Sequence, residues 1–120
     1  MLIANKTLKI AIVGYGAMGK SIEKVAEKND IEVTDIFDIN SPIENSKNYN
    51  FDVAIDFSSP AAIMDNIKIL TNLNKNIVIG TTGWYQKIDE VRNYCEKAGN
   101  GIIWTSNFSV GMQIFFKLIK

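Results

Sequence analysis

Apolar residues occur along this chain in short runs separated by stretches of helical periodicity. Five runs rich in β-branched and aromatic residues predict strands, at residues 8–14, 32–38, 51–58, 76–80 and 101–107. The polar stretch 39–50, rich in Asn and Ser, predicts a loop. The strands are therefore expected to be buried and joined by longer connections.

Three amphipathic helices are predicted between these strands. The first covers 17–28, where apolar residues recur every three or four positions. Ser59 and Pro60, an N-cap residue and a first-turn proline, predict the start of the second. The third covers 86–98, and its buried face is expected to hold Ile88, Val91, Cys95 and Ala98.

Alternation of strands and helices favours an α/β fold, a parallel sheet covered on both faces. Right-handed crossovers make such a sheet doubly wound. We expect residues 1–109 to form one such domain. Residues 110–120 form an apolar segment that predicts the start of another helix.

A glycine-rich turn follows the first predicted strand. Gly14, Gly16 and Gly19 have the spacing G-x-G-x-x-G and open the first helix, the context in which this motif binds a dinucleotide. Gly14 permits the tight turn, Gly16 lets a pyrophosphate approach the backbone, and Gly19 lets the helix pack close to the sheet. The alternative is a tight strand-to-helix corner that binds no ligand.

Asp38 favours the dinucleotide interpretation. It lies 24 positions after Gly14 at the end of the second predicted strand, near the roughly 20 residues expected for the acid that binds the adenosine ribose. Asp35 is the rival, but it lies within that strand. A 2′-phosphate would be repelled by Asp38 and normally has an arginine nearby, whereas Ile39 and Asn40 follow here. We therefore predict that residues 1–109 form a Rossmann-like dinucleotide-binding domain. It is expected to bind NAD(P)H with NADH favoured, although a lysine such as Lys47 could still reach a 2′-phosphate.

Composition narrows the class of protein further. The chain has 120 residues and a formal net charge of zero, which gives no basic face for nucleic acid. It contains no histidine, the commonest acid/base group near neutral pH, and one cysteine, which points to a cytoplasmic protein. No apolar stretch has membrane-spanning length, and no metal-ligand cluster, P-loop or nucleophile–base pair is present in the sequence. Because histidine is absent, any catalytic proton donor must be another residue type or lie outside this chain.

Three further segments follow later strands and are expected at the ligand edge of the sheet. They are 56–60 (DFSSP), 80–83 (GTTG) and 105–109 (TSNFS). Backbone groups of the second could meet a nicotinamide carboxamide, and Phe108 of the third could lie against its ring. Each could also be ordinary turn chemistry, since Gly, Thr, Ser and Asn are common turn residues.

The segments DVAIDFSSP, VIGTTGW and SNFSVGMQIFF, in this order after the glycine turn, resemble the amino-terminal half of the 4-hydroxy-tetrahydrodipicolinate reductase family. That family, also called dihydrodipicolinate reductase, acts in bacterial lysine and diaminopimelate synthesis and reduces a cyclic substrate with a nicotinamide cofactor. The resemblance extends from about Ile10 to the end of the chain. It implies an NAD(P)H-dependent oxidoreductase.

The resemblance also implies which residues hold the cofactor. Asp38 would bind the adenosine ribose, and the glycine turn would hold the pyrophosphate through Gly14, Tyr15, Gly16, Ala17, Met18 and Gly19. The nicotinamide would be lined by Gly80, Thr81, Thr82, Thr105, Ser106, Asn107 and Phe108. The turn is one residue shorter than the family's usual G-x-x-G-x-x-G, and Ala17 stands before Met18 where an arginine is common.

The family's catalytic histidine pair and lysine have no counterpart here, which leads us to expect a second, substrate-binding domain beyond residue 120. The fragment alone would then be inactive, its catalytic residues lying outside this chain, while the full-length form would bind a small-molecule substrate and be a homo-oligomer. Three alternatives remain. The first is another two-domain NAD-dependent dehydrogenase, such as an aspartate, homoserine or sugar oxidoreductase. The second is a non-catalytic NAD(H)-binding or redox-sensing domain, and the third is a structural domain without a ligand.

Overall fold

The computed structural model describes residues 7–105 and residue 113. Within them, five strands are β1 (Lys9–Val13), β2 (Glu32–Phe37), β3 (Val53–Asp56), β4 (Asn76–Ile79) and β5 (Ile102–Trp104). Three α-helices are α1 (Ala17–Lys28), α2 (Ile63–Asn72) and α3 (Ile88–Ala98), the last preceded by a 3₁₀ turn at Tyr85–Lys87. The predicted order of strands and helices is confirmed.

The five strands form one parallel sheet in the order β2-β1-β3-β4-β5. Val13, the last residue of β1, is paired with Phe37 of β2 and with Asp56 of β3. The carboxyl ends of these three strands therefore lie side by side at one edge. The chain order reverses between β1 and β3, and ligands of open α/β sheets bind in the crevice at such a reversal.

Alternate residues of the strands enter two cores on opposite faces of the sheet. Ala11 and Val13 belong to the core covered by α2 and α3, together with Phe51 from the connection before β3. Ile10 and Ile12 belong to the core covered by α1. Helices thus pack on both faces, which confirms the doubly wound arrangement expected from the sequence.

The start of one predicted helix and the burial of one predicted core residue were wrong. Helix α2 begins at Ile63 rather than after Ser59, because residues 60–62 form a turn in which the Ser59 hydroxyl accepts a hydrogen bond from the Ala62 N–H (3.2 Å). Ala98 is exposed rather than buried, since it is the final residue of α3, before Gly99 ends the helix in a left-handed conformation (φ +81°). The end of the last predicted strand and the apolar segment 110–120 lie outside the described residues, Gln113 excepted.

Candidate functional site

The glycine turn is held against two neighbouring strands. Gly14 has φ +95°, a conformation that L side chains rarely adopt, and its N–H donates to the carbonyl oxygen of Phe37 (2.8 Å). A β-carbon at Gly14 would lie 2.5 Å from the carbonyl oxygen of Phe57. One at Gly19 would overlap the carbonyl oxygen of Gly14. The first and third glycines are therefore required by the packing of the turn itself.

Gly16 differs from the other two glycines. It is the N-cap residue of α1, and a β-carbon there would meet no atom within 4 Å. Ala17 and Met18 follow in the first turn of the helix, and both are exposed. The N–H groups of a first helical turn have no acceptor within their own helix and lie at the positive end of its dipole. The space over Gly16 thus adjoins groups suited to an anion.

A cavity of about 570 Å³ opens at the reversal of the strand order. Its wall is formed by the glycine turn, by the end of β2 with the residues after it, and by the segment between β3 and α2. The lining residues that matter below are Tyr15, Gly16, Asp38, Phe57, Ser58 and Asn66. The lining includes both Gly16 at the start of α1 and Asp38 after β2, the two places at which the dinucleotide motif needs its groups.

Asp38 lies on the wall of this cavity, directly after β2. Its Oδ1 accepts hydrogen bonds from the N–H groups of Asn40 (2.8 Å) and Ser41 (2.9 Å), which fixes the side chain in a turn. The side chain is exposed, so Oδ2 is accessible to hydroxyl donors. Asp35 lies within β2, outside the cavity, and accepts from the Thr34 hydroxyl (2.8 Å).

Tyr15 is tied to α1. Its hydroxyl donates to Glu23 Oε1 (2.5 Å), and the ammonium of Lys20 lies 5.5 Å from the centre of its ring. The hydrogen bond to Glu23 and the negative charge of that residue raise the pKa of Tyr15 above its ordinary value. Tyr15, which lines the cavity, is thereby held against α1.

A buried carboxylate beneath the cavity was not recognised from the sequence. Asp56, the last residue of β3, is fully buried, and hydrogen-bond donors from three segments converge on it. Its Oδ1 accepts from the Ser58 N–H (2.9 Å), the Ser58 hydroxyl (2.6 Å) and the Thr81 hydroxyl (2.9 Å), and its Oδ2 from Asn66 Nδ2 (3.2 Å). Burial raises the pKa of Asp56, against the opposing effect of these donors. The signals in the sequence are an acid within an otherwise apolar strand run and its place at the start of the segment 56–60, which was expected at the ligand edge of the sheet.

The segment after β4 lies next to the cavity but does not form its wall. A β-carbon at Gly80 would overlap the ring of Phe57, so this glycine is needed for the ring to pack where it does. Phe57 thus separates Gly80 from the cavity. Thr81 is buried, and its carbonyl oxygen accepts from the indole N–H of Trp84 (2.8 Å). Thr82 and Gly83 are exposed, so a ligand could reach them.

The segment after β5 is described only at its start. The N–H of Thr105 donates to the carbonyl oxygen of Ile79 (3.1 Å), which continues the sheet pairing by one residue. Ser106, Asn107 and Phe108 lie outside the described residues. Of the fourteen candidate site residues, the structure brings Gly14, Tyr15, Gly16 and Asp38 onto the cavity wall.

Residues 7–105 lack two other kinds of feature. No group of three or more His, Cys, Asp or Glu side chains there could hold a metal ion. None of the helices described is both long and apolar enough to cross a bilayer.

Relatives of this chain were found by sequence. Residues 8–108 match the family described as dihydrodipicolinate reductase, N-terminus. A 4-hydroxy-tetrahydrodipicolinate reductase from Christiangramia forsetii is 38% identical over 113 residues, which are 92% of this chain and 46% of that protein. One from Buchnera aphidicola subsp. Acyrthosiphon pisum is 35% identical, covering 97% of this chain and 52% of that protein. The chain thus spans about half the length of the curated relatives it matches.

Solved structures share the fold at lower identity. A putative homoserine dehydrogenase from Archaeoglobus fulgidus superposes with a TM-score of 0.65 at 16% identity, over 82% of this chain and 42% of that one. The homoserine dehydrogenase of S. aureus gives 0.64 at 15%, over 82% and 33%. These likenesses show the Rossmann-like architecture alone. The sequence match over residues 8–108 decides the family: the chain belongs to the dihydrodipicolinate reductases, as their amino-terminal part.

Proposed function

We propose that this chain is the NAD(P)H-binding part of a 4-hydroxy-tetrahydrodipicolinate reductase. The observation that carries the proposal is the cavity at the strand-order reversal, which has the open backbone of Gly16 on one wall and the carboxylate of Asp38 on another. Family membership supports the reaction, and the curated relatives carry the name of that reductase.

The residues present fit a dinucleotide. The space over Gly16 would accept the pyrophosphate, with the first-turn amides of α1, from Ala17 and Met18, directed at it. Asp38 would accept hydrogen bonds from the ribose hydroxyls of the adenosine. Tyr15 would flank the pyrophosphate, while Gly14 and Gly19 would keep the turn close to the sheet.

The nicotinamide would lie toward the ends of β4 and β5. We assign it to the segment Gly80, Thr81 and Thr82, with Thr105 and Ser106–Phe108 beside it. Support comes from the position of Gly80–Thr82 at the same sheet edge as the cavity, next to Phe57. The bound cofactor supplies a hydride, and the role of this chain is to hold and orient the donor.

NADH is the favoured cofactor. Asp38 would face the 2′ position of the adenosine ribose, where a phosphate would be repelled. None of the described residues lining the cavity is Lys or Arg, and Lys47, the candidate basic residue after β2, lies 5.5 Å from the ring centre of Tyr49 instead. Ile39, next to Asp38, is 97% exposed and offers an apolar surface rather than a charge.

The rest of the assignment concerns the whole protein. Residues 1–109 would be the cofactor domain and 110–120 the start of the connection to a substrate domain, where the small-molecule substrate and the catalytic groups would lie. The protein would act in the cytoplasm in lysine and diaminopimelate biosynthesis, as a homo-oligomer, without nucleic acid or membrane partners. Its single cysteine, Cys95, is buried, which accords with a reducing compartment.

Isothermal titration calorimetry with NADH and NADPH tests the proposal. We expect NADH to bind more tightly than NADPH. Asp38→Ala should weaken NADH binding by about tenfold, the scale of hydrogen bonds to a charged group. Asp35→Ala is the matched control, because it removes an acid of β2, the strand that Asp38 follows, at a position outside the cavity. It should leave NADH binding unchanged. If neither NADH nor NADPH gives a heat of binding, the assignment is overturned.

A further inference from the structure

Asp56 connects the cavity with the segment assigned to the nicotinamide. Ser58 and Asn66, which both line the cavity, donate to its carboxylate from one side. The Thr81 hydroxyl donates to it from the other. Asn66 Nδ2 also donates to the Ser58 hydroxyl (3.2 Å), so the cavity-side donors are themselves joined.

Thr81 is fixed at more than one atom. Its hydroxyl lies 2.9 Å from Asp56 Oδ1 and 3.2 Å from the Asp56 carbonyl oxygen, and its own carbonyl oxygen is held by Trp84. The N–H of Gly80 donates to the Asp56 carbonyl oxygen (2.9 Å). The buried Thr81 side chain is therefore directed at Asp56 and not at a ligand, and Thr82 is the exposed residue that follows.

A fully buried carboxylate is costly unless its lone pairs are satisfied. Donors from the β3–α2 connection, α2 and the β4–α3 connection satisfy this one, and each would lose its carboxylate acceptor if Asp56 were apolar. An apolar residue would pack more easily at this position between the sheet and α2. The arrangement thus fixes the relative positions of three segments, which hydrophobic packing alone does with less directional precision.

We propose that Asp56 is a positioning residue that sets the Gly80–Thr82 segment, through the Thr81 hydroxyl, at the nicotinamide end of the cofactor site. The inference rests on the proposed function. It implies that the contact between Asp56 and Thr81 acts on the nicotinamide half of the cofactor, while Asp38 and the glycine turn hold the adenosine and pyrophosphate half.

ADP-ribose separates the two halves, because it has the adenosine, both phosphates and a ribose but no nicotinamide. The measured quantity is the ratio of the Kd of ADP-ribose to the Kd of NADH, by calorimetry, together with the nicotinamide fluorescence of bound NADH. In Thr81→Val and Asp56→Asn we expect the ratio to fall by about fivefold or more, the scale of one well-placed hydrogen bond. The Kd of ADP-ribose should be nearly unchanged in Thr81→Val, which leaves the donors on the cavity wall in place. Thr81→Ser keeps the hydroxyl and should keep the ratio.

Thr71→Val is the matched structural control. Thr71 is also buried, and its hydroxyl lies 3.7 Å from Cys95 Sγ and accepts from Asn100 Nδ2 (3.2 Å), at the opposite end of α2 from Asn66. This variant should lose stability and keep the ratio. If Asp56→Asn does not fold, the ratio measured in Thr81→Val tests the positioning role by itself.

The outcomes separate the two proposals. An unchanged ratio in Thr81→Val, equal weakening of NADH and ADP-ribose, or a ratio near one in the unmutated protein would overturn the positioning role while nucleotide binding stood. Failure of the unmutated protein to bind either ligand would overturn the proposed function and the positioning role with it.

Discussion

Gly14 and Phe57 approach so closely that a β-carbon on the glycine would lie 2.5 Å from the phenylalanine carbonyl oxygen. This approach joins the end of β1 to the residue that follows β3, and it narrows the crevice into a cavity at the strand-order reversal. Phe57 in turn lies against Gly80 after β4. Two glycines 66 positions apart are thus required by one phenylalanine.

The glycines of the turn should separate by effect when each is changed to alanine. Gly14→Ala should lower the free energy of unfolding by about 3 kcal/mol, because the left-handed backbone is strained and the added carbon meets backbone atoms that cannot move aside. In Gly16→Ala the added carbon meets no atom, and the lower preference of alanine for an N-cap position should lower the free energy of unfolding by about 1 kcal/mol or less. Urea unfolding measures both.

Gly16→Ala, the variant with the smaller expected effect on stability, should nevertheless weaken nucleotide binding. The Gly16→Ala methyl group would enter the space assigned to the pyrophosphate, and we expect NADH affinity to fall by about tenfold. Full affinity in a stable Gly16→Ala protein would contradict the placement of the pyrophosphate.

Asp38→Asn should change the choice of cofactor. The amide oxygen of Asn can still accept from the N–H groups of Asn40 and Ser41, so the turn is kept while the charge is removed. NADPH binding should strengthen relative to NADH by about fivefold or more, since repulsion of the 2′-phosphate is relieved. Competition between the two nucleotides in calorimetry measures this ratio, and a ratio equal to that of the unmutated protein would contradict the role of the charge.

The raised pKa of Asp56 predicts a pH dependence of stability. The folded state binds the proton of this carboxyl more tightly than the unfolded state, in which the pKa is near the ordinary 3.8. The contribution of Asp56 is therefore fully present below that value and is lost as pH rises through the raised folded pKa. As pH falls, the free energy of unfolding of the unmutated protein should rise relative to that of Asp56→Asn.

Urea unfolding of both proteins from pH 4 to pH 8 measures this difference, and contributions of the other carboxyls cancel in it. The hydrogen-bond partners of Asp56, Ser58, Asn66 and Thr81, are neutral and do not titrate in this range. A difference independent of pH would show that burial does not raise this pKa.

Lys75 is expected to stabilise the connection before β3. Its ammonium donates to the carbonyl oxygens of Tyr49 (2.9 Å) and Phe51 (2.7 Å) and lies 4.9 Å from the ring centre of Phe51. Lys75→Met leaves both carbonyls without this donor and should lower the free energy of unfolding by about 2 kcal/mol. Lys24→Met, at an exposed position of α1, is the control and should have little effect. Equal thermal unfolding of the two variants would contradict the role of Lys75.

Much of the fold and part of the site follow from local patterns. The order of strands and helices, the glycine turn at the start of α1 and the position of Asp38 after β2 are readable because each depends on periodicity or on a few adjacent residues. The family is readable for the same reason, since its motifs are short and contiguous. The boundaries were less accurate: Ser59 looks like a helix N-cap, yet it caps the turn before α2.

The interaction of Asp56 with Thr81, the need for glycine at position 80 and the exposure of Thr82 were decided by tertiary structure alone. Each depends on which strands become neighbours and on which face a side chain lies, and parallel pairing joins residues far apart in the chain. The sequence pattern of an acidic residue in an apolar run is the same whether that residue is buried or exposed. Only the packing of α2 and the β4–α3 connection around Asp56 determines that donors meet it there.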